Sequence, residues 1–318
     1  MTRELLLLRH GKSDWSADVD DYHRPLKDRG KRGAQRIGVW LAQQKMVPDL
    51  IITSPAERAL VTAQKACKAM GYGDTGIQRD RRIYEAVVDD LLAVLGDCPQ
   101  DAGRVMLVGH NPGMEDLLVW LASATPAPDD GKLLPTATLA RLRLPADWGA
   151  LVAGCAHLDA ITRPGSLPKK FPYPAPDGKE LRDRPAYYYT QSSVIPYRVR
   201  DGKAEILVIA SSKKHHLVVP KGIKDPGLSP RESAAKEALE EAGIEGEVAE
   251  TALGSYTCEK WGATCTVTVY PMKVTRLIAE EDWEESHRGR EWVSPERAAK
   301  ELKQRELAPL VNKLEAMF

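Results

Sequence analysis

The sequence predicts two α/β domains joined by a proline-rich connector, and three observations carry that reading. At 318 residues the chain is long enough for two domains of ordinary size. Residues 1–160 alternate short apolar runs with segments of helical spacing, the pattern of a largely parallel sheet with flanking helices. Residues 161–186 hold six prolines and little apolar periodicity, so they read as an extended connector. Phe171 and Tyr173 give part of that connector something to pack with. Strand-like runs resume in residues 187–318, arranged around one helix with both ends written into the sequence.

The first domain reads in order. Glu4 to Leu8 is an apolar run bounded by charge, as in a buried parallel strand, and it ends in Arg9-His10-Gly11-Lys12-Ser13. Residues 28–45 carry helical spacing through Ile37, Trp40 and Leu41. Leu50 to Thr53 is a second strand, ending in Ser54-Pro55, and Ala56 to Met70 is a helix that opens Ala-Glu-Arg58. Tyr84-Glu85 precedes a helical stretch from Asp89 to Leu95, and Val105 to Val108 is a further strand ending in Gly109-His110-Asn111-Pro112.

In sheets of this kind ligands bind beyond the carboxyl ends of the strands. Three strand ends here deliver Arg9 with His10, Ser54 with Arg58, and His110, which sets two arginines and two histidines on one rim. Guanidinium forks match phosphate oxygens, and a neutral imidazole can take up a phosphoryl group. Together LLLLRHGKSDW, RPLKDRG, SPAERALVTA and VGHNPG resemble the histidine phosphatase superfamily, and most of all its small SixA-like phosphohistidine phosphatases. The resemblance covers residues 1–160. It implies that His10 accepts the phosphoryl group, that Arg9, Arg58 and His110 stabilise charge on the transferring oxygens, and that Lys12 and Ser13 bind phosphate. Glu85 stands where larger members keep a general acid; an ordinary carboxylate at a helix start is the other reading. No cofactor is implied for this domain. His23 and His157, with no motif around them, read as structural or surface residues.

In the second domain, Tyr187 to Arg198 and Glu205 to Ala210 read as strands. Ser211 to His216 is then a dense local positive segment, either a meeting point for substrate phosphates through Lys213 or a solvated hairpin turn. Leu217-Val218-Val219 leads into Pro220-Lys221-Gly222, where the backbone must bend tightly and Lys221 is set to meet phosphate. The helix follows. Ser229 is its N-cap, Pro230 its first residue, Glu232 closes a capping box, and Gly243 is placed to end it. At ~100° per residue Glu237, Glu240 and Glu241 share one face, with Ala235, Ala238, Leu239 and Ala242 opposite and toward a core. Crowded carboxylates repel, and a hard divalent cation turns that repulsion into a site; the other reading is a solvated acidic face.

Gly222 to Ile244 resembles the Nudix box over 23 residues, with Gly222, Glu237, Ala238, Glu240, Glu241, Gly243 and Ile244 in register. The resemblance implies an α/β/α Nudix fold, a mixed sheet between helices. It implies that Glu237, Glu240 and Glu241 hold Mg²⁺, or Mn²⁺ in its place, and that Glu240 has a catalytic part in cleaving a phosphoanhydride. Two positions depart: Leu228 stands where the family has glutamate and Lys236 where it has arginine. In the family those two pair, so the departures read as joint loss of one ion pair that stiffens the loop.

Glu247 to Ala252, Gly254 to Cys258 and Cys265 to Lys273 then alternate like strands. Glu280 to Glu285 followed by Arg288-Gly289-Arg290-Glu291-Trp292 resembles the diphosphoinositol and diadenosine polyphosphate hydrolase branch of the Nudix proteins. One of Glu280, Glu281, Glu284 or Glu285 would assist the metal site as a further ligand or general base, and the sequence does not choose among them; a solvated acidic loop is the other reading, and the one that fits most of these residues. Residues 294–316 read as a helical tail packed on the core.

Lys+Arg and Asp+Glu both number 45, so no overall field draws nucleic acid or a membrane, and any phosphate site must be built locally. Five scattered cysteines with no CxxC pair read as reduced thiols, and MTRELLLLRHG is too short in apolar residues for a signal peptide or span. The expectation is a cytoplasmic protein, its oligomeric state not legible. The motifs together imply a bifunctional phosphohydrolase, similar to two-domain MutT-type enzymes of mycobacteria with the order reversed. The Nudix site would cleave a nucleoside polyphosphate, of diadenosine or oxidised or normal triphosphate type, and His10 would act on a phosphorylated product. The rival readings are a phosphohistidine protein phosphatase joined to an unrelated inositol pyrophosphate hydrolase, and a regulator whose Nudix module senses a nucleotide without cutting it.

Overall fold

The computed structural model describes residues 2–122, 124–126, 128–145, 147–174, 178–211 and 216–318. The chain divides into two compact units, Met1–Phe171 and Pro172–Phe318.

In the first unit a six-stranded sheet is built on Arg3–Arg9 (β1). Around it come Asp28–Gln43 (α1), Leu50–Thr53 (β2), Glu57–Ala69 (α2), Gln78–Arg79 (β3), Val88–Gly96 (α3), Arg104–Gly109 (β4) and Gly113–Leu121 (α4), then Leu139–Leu144 (β5) and His157–Thr162 (β6). The order is β3-β2-β4-β1-β5-β6, parallel from β3 to β1 and antiparallel at β5 and β6. β1 is central, and its leucines alternate between two cores as a period of two requires. Leu5 and Leu7 pack among Leu91, Val94, Leu95, Leu117 and Leu118 from α3 and α4. Leu6 and Leu8 pack among Ile37, Leu41, Ala59, Ala63 and Ala66 from α1 and α2.

Two glycines let α1 lie directly on the loop after β1. A Cβ on Gly11 would stand 2.7 Å from the Gly30 oxygen, and a Cβ on Gly30 would collide with the Lys12 oxygen. Lys27 N donates to Lys12 O at 2.9 Å, closing the same contact from the helix start. The loop that presents His10 is therefore held backbone to backbone.

The second unit carries an eight-stranded sheet. Its elements are Thr190–Arg200 (β7), Lys203–Ala210 (β8), Leu217–Val218 (β9), Lys221–Ile223 (β10), Pro230–Ala242 (α5), Ile244–Val248 (β11), Gly254–Lys260 (β12), Ala263–Leu277 (β13), Arg290–Val293 (β14), Pro295–Glu301 (α6) and Ala308–Glu315 (α7). The sheet is mixed: β13 lies parallel to β7, and the other pairings are antiparallel. One face packs on α6 and α7 through Ile195, Val208, Val267, Leu302 and Val311, and the other packs on α5 through Val194, Leu207 and Met272.

The helix α5 ends as its sequence requires. Ser229 Oγ accepts from Glu232 N at 3.2 Å, the Glu232 carboxylate accepts from Ser229 N at 2.7 Å, and Gly243 turns left-handed at φ 58°. Its buried stripe differs from expectation. Ala234, Ala238 and Ala242, spaced by four, meet the sheet, whereas Leu239 lies to one side and is 42% exposed. The expected strand from Tyr187 opens instead as a single turn, Ala186–Tyr189, and the 247–252 strand lies earlier, at Ile244–Val248. The 294–316 tail is two helices, with Leu302 bridging to Leu217 between them. Among the described residues no helix is long and apolar enough to cross a membrane, and all five cysteines are free thiols.

Gly30→Ala would force α1 off the His10 loop. The expected loss is about 1–3 kcal/mol of stability in the first unit, an overpacking cost read as an earlier denaturant midpoint.

Candidate active sites

The strand ends of the first unit open into a cavity of about 520 Å³. It is lined by every first-unit site residue expected from the sequence: Arg9, His10, Lys12, Ser13, Arg58, Glu85 and His110. Asp21, Arg24 and Trp15 line it too, and sequence reasoning had assigned them nothing. Arg24 stands in the RPLKDRG run, and that motif was the available signal.

His10 is buried, and its Nδ1 lies 2.7 Å from the Gly11 carbonyl. A carbonyl only accepts, so Nδ1 carries the proton and the lone pair resides on Nε2. Burial pushes the His10 pKa down to about 4, helped by Arg58, Arg9 and Arg24 and opposed by the Gly11 bond. His110, with its ring centroid 5.1 Å from that of His10, is pushed down to about 3 by burial, then by His10 and Arg58. Both rings are neutral at pH 7. Ser54 Oγ sits 2.9 Å from His110 Nε2 and also accepts from Ala56 N. With the Ser54 hydroxyl donating to Nε2, His110 Nδ1–H is left as a free donor.

Asp21 ties the cationic wall together. Its carboxylate meets Arg58 at 2.7 Å and Arg24 at 2.8 Å, and accepts from the Tyr84 hydroxyl at 2.9 Å. Burial pushes its pKa up, but Tyr84, Arg58 and Arg24 outweigh that and hold it below the ordinary value. The Arg24 guanidinium lies 3.5 Å from the Trp15 ring centroid. Thr62 accepts from Gly11 N at 2.9 Å and donates to Arg58 O at 2.6 Å, linking the His10 loop to α2.

Buried donors without partners gather on this wall: the Nε–H of Arg9, Arg24 and Arg58, with His110 Nδ1. Buried polar groups are rarely left unpaired, and an oxyanion answers such a set. Glu85 adopts a left-handed backbone at φ 56°, uncommon for a residue with a side chain and a mark of a constrained site. Gly113 permits this local turn, since a Cβ there would collide with the Ala86 oxygen.

In the second unit the Nudix-box glutamates lie on α5, and the Glu237 carboxylate rests on the bare α-carbon of Gly222, where a Cβ would collide with it. Burial, then Glu241 and Glu240, push the Glu237 pKa up to about 7. Glu241 meets Arg288 at 2.9 Å and accepts from Lys221 N at 2.9 Å, and Glu240 lies 3.8 Å from Lys236. Among the described residues no three His, Cys, Asp or Glu side chains come together as a metal cluster. Carboxylate oxygens are the donors a hard cation takes, and in this arrangement Lys236 and Arg288 partner two of the three acids.

The loop before α5 is tied. Lys236 Nζ meets Asp225 at 2.6 Å and Asp225 N donates to Ser233 Oγ at 3.1 Å, so the ion pair that Leu228 gives up is made three residues earlier. In the acidic segment, Glu285 pairs with Arg288 at 2.7 Å, and Glu280, Glu281 and Glu284 are exposed. Trp283 Nε1 donates to Glu240 O at 3.2 Å and Arg290 donates to Gly243 O at 2.7 Å, which caps the carbonyl end of α5. Lys213 lies outside the described residues.

The first unit thus carries a cationic cavity with neutral histidines, and the second a helix face of carboxylates. Comparison with known proteins agrees. Residues 5–91 match the family model of the histidine phosphatase superfamily (branch 1), and residues 190–314 match that of the NUDIX domain. The chain is 31% identical over 142 residues to the mitochondrial Nudix hydrolase 12 of Arabidopsis thaliana, covering 37% of this chain and 69% of that protein. It is 38% identical over 93 residues to the 2,3-bisphosphoglycerate-dependent phosphoglycerate mutase of Arthrobacter sp. (strain FB24), covering 27% of this chain and 36% of the mutase. The chain thus spans about a third of that relative's length. The structure of SixA from Nakamurella multipartitia covers 52% of this chain and 97% of its own, at 27% identity and a TM-score of 0.44. The chain belongs to the Nudix family through its C-terminal unit and carries a histidine phosphatase domain ahead of it. Both are hydrolase families that act on phosphoryl groups and anhydrides.

Two outcomes follow from these environments. Glu237 binds its proton more tightly folded than unfolded, so its contribution is fully present at low pH and is lost as pH rises through about 7. At pH 8, Glu237→Gln should therefore stabilise the metal-free protein by on the order of 2 kcal/mol in a melting experiment, while abolishing stabilisation by added Mg²⁺. His10 has the opposite sign, binding its proton more weakly folded than unfolded. The acid limb of kcat/KM for phosphate-ester cleavage should lie near pH 4 rather than near the ordinary histidine value of about 6.5.

Proposed function

We propose that the chain is a bifunctional phosphohydrolase of two domains joined through residues 161–186. Its Nudix unit would cleave a nucleoside polyphosphate, and its His10 site would remove phosphate from the product. The observation that carries the first half is the His10 ring: Nδ1 donates to Gly11 O, which leaves the Nε2 lone pair in a cavity of unpaired cationic donors.

In this reading Nε2 attacks phosphorus while Arg9, Arg24, Arg58 and His110 Nδ1–H stabilise the spreading charge on the oxygens. Lys12 and Ser13 hold the same phosphate. The P–O bond to the leaving group breaks, and Glu85 donates the proton that the leaving oxygen takes. Water then attacks the phosphohistidine with Glu85 as base, giving phosphate and restoring Nε2. No cofactor enters these steps.

In the Nudix unit Glu237, Glu240 and Glu241 would hold Mg²⁺, with Mn²⁺ able to stand in. Such an ion supplies charge neutralisation on the phosphates and acidifies water. The chain's own part is to orient the carboxylates: Gly222 seats Glu237, the capped helix fixes Glu240, and Arg288 with Lys221 N steers Glu241. Lys221, beside Glu241, would bind substrate phosphate, and Lys213 is assigned the same part. The five free thiols support a cytoplasmic setting.

The test is phosphate release from diadenosine polyphosphates, oxidised and normal nucleoside triphosphates, and inositol pyrophosphates. It is run with and without Mg²⁺ on wild type, His10→Ala and Glu240→Gln. Glu240→Gln should lose at least about a hundredfold in Mg²⁺-dependent cleavage, a transition-state group's typical share. His10→Ala should stall at a phosphorylated product. Cleavage to the same end products in His10→Ala would separate the two activities and point the first site to phosphohistidine proteins. Tight nucleotide binding with no turnover would make the Nudix unit a sensor.

A further inference from the structure

The second unit holds a cavity of about 230 Å³ beside Glu241, and its walls are rich in cations. Lys221 at the start of β10, Lys260 at the end of β12, Arg288 in the turn before β14 and Lys303 after α6 all line it. Arg288 is answered by Glu241 and Glu285. The three lysines are not: among the described residues no carboxylate forms an ion pair with any of them, and the Lys221 ammonium has only the Gln191 amide oxygen, at 3.4 Å.

The positions are built. The β12–β13 hairpin turns through Trp261 at φ 52° and Gly262 at φ 73°, and a left-handed tryptophan is costly backbone kept only where its surroundings hold it. Tyr188 packs on the Trp261 ring at 5.0 Å and Lys260 Nζ lies 4.2 Å from its centroid, so the turn fixes where Lys260 emerges. Lys303 is set by its own backbone, with its N–H donating to Leu217 O at 3.0 Å. Lys260 is exposed as a residue, but partial burial of its ammonium at the cavity wall and the nearby Lys221 charge both lower its proton affinity. The volume is below the ~300 Å³ at which sites for drug-sized ligands begin, which suits a compact, highly charged group better than a base or sugar.

We propose that this cavity receives the distal phosphates of the Nudix substrate, and that Lys260 and Lys303 are the residues that select for phosphate number. The proposal rests on the Nudix reading above and narrows it to substrates that end in a phosphate tail. The tail lies among Lys221, Lys260 and Lys303, and the bond to be cut lies toward Glu241. Selection follows from charge, because each added phosphate brings another lysine into play.

The test uses the full chain in EDTA, with Arg58→Ala in the background to weaken anion binding at the first site. Tripolyphosphate, pyrophosphate and orthophosphate are titrated calorimetrically into this protein and into versions that add Lys260→Gln, Lys303→Gln or both. Affinity should rise with phosphate number, and each substitution should weaken tripolyphosphate by about tenfold, or about 1.4 kcal/mol, with little effect on orthophosphate. Melting temperatures should not change, since both lysines are exposed. Equal tripolyphosphate binding with and without the two lysines would overturn the proposal. So would Mg²⁺-dependent turnover whose preference for longer phosphate chains survives in the double variant, although the Nudix reading would then stand. Lysine-dependent tripolyphosphate binding by a chain that cleaves no phosphoanhydride would uphold the cavity and fail the catalytic reading.

Discussion

Burying a guanidinium costs several kcal/mol unless something answers its charge, and the wall of the first site buries Arg24 and Arg58 against the single carboxylate of Asp21. The rest of the first site follows from that arrangement. One carboxylate cannot neutralise two guanidiniums, so the wall keeps a net positive field. Burial above all, and then that field, keeps His10 and His110 unprotonated. A protonated ring would have no lone pair for phosphorus. The same cations that would attract phosphate therefore favour the neutral ring that the proposed attack by His10 needs.

The second unit has the opposite charge problem. Three glutamates share one helix face, and burial together with the nearby Glu241 and Glu240 charges raises the proton affinity of Glu237. The chain answers with cations from elsewhere: Lys236 beside Glu240, and Arg288 on Glu241. The helix that bears them is pinned at both ends, by a capping box before it and by Trp283 and Arg290 after it. Fixed carboxylates lose little freedom on meeting a cation, which is how pre-organisation raises affinity.

What the sequence made legible was local. The four leucines of β1, the spacing of α1 and α2 and the capping box of α5 are read within one element each, and the structure has all of them. The strand-end residues Arg9, His10, Arg58 and His110 were legible because parallel sheets bring strand ends to one edge. Asp21 was not, since it sits in an irregular acidic run where no periodicity distinguishes one carboxylate from its neighbours. The pairing of Lys236 with Asp225 was read as a loss, because a motif compares fixed positions and the partner had moved three residues. Leu239 was assigned to a core that three alanines fill without it. Lys260 and Lys303 converge only through a hairpin and a tail, and such sequence separation leaves no local pattern.

The Arg288–Glu241 ion pair has a thermodynamic consequence. The Glu241 carboxylate would be shared between this arginine and any cation the glutamates came to hold, and the same arginine walls the lysine cavity. A cation on Glu241 would loosen Arg288, and an anion that drew Arg288 away would leave Glu241 with fewer competitors. Each ligand would thus lower the cost of admitting the other, and such coupling must be equal in both directions. The pair would then act as an internal counter-ion, released only when two ligands of opposite sign arrive together.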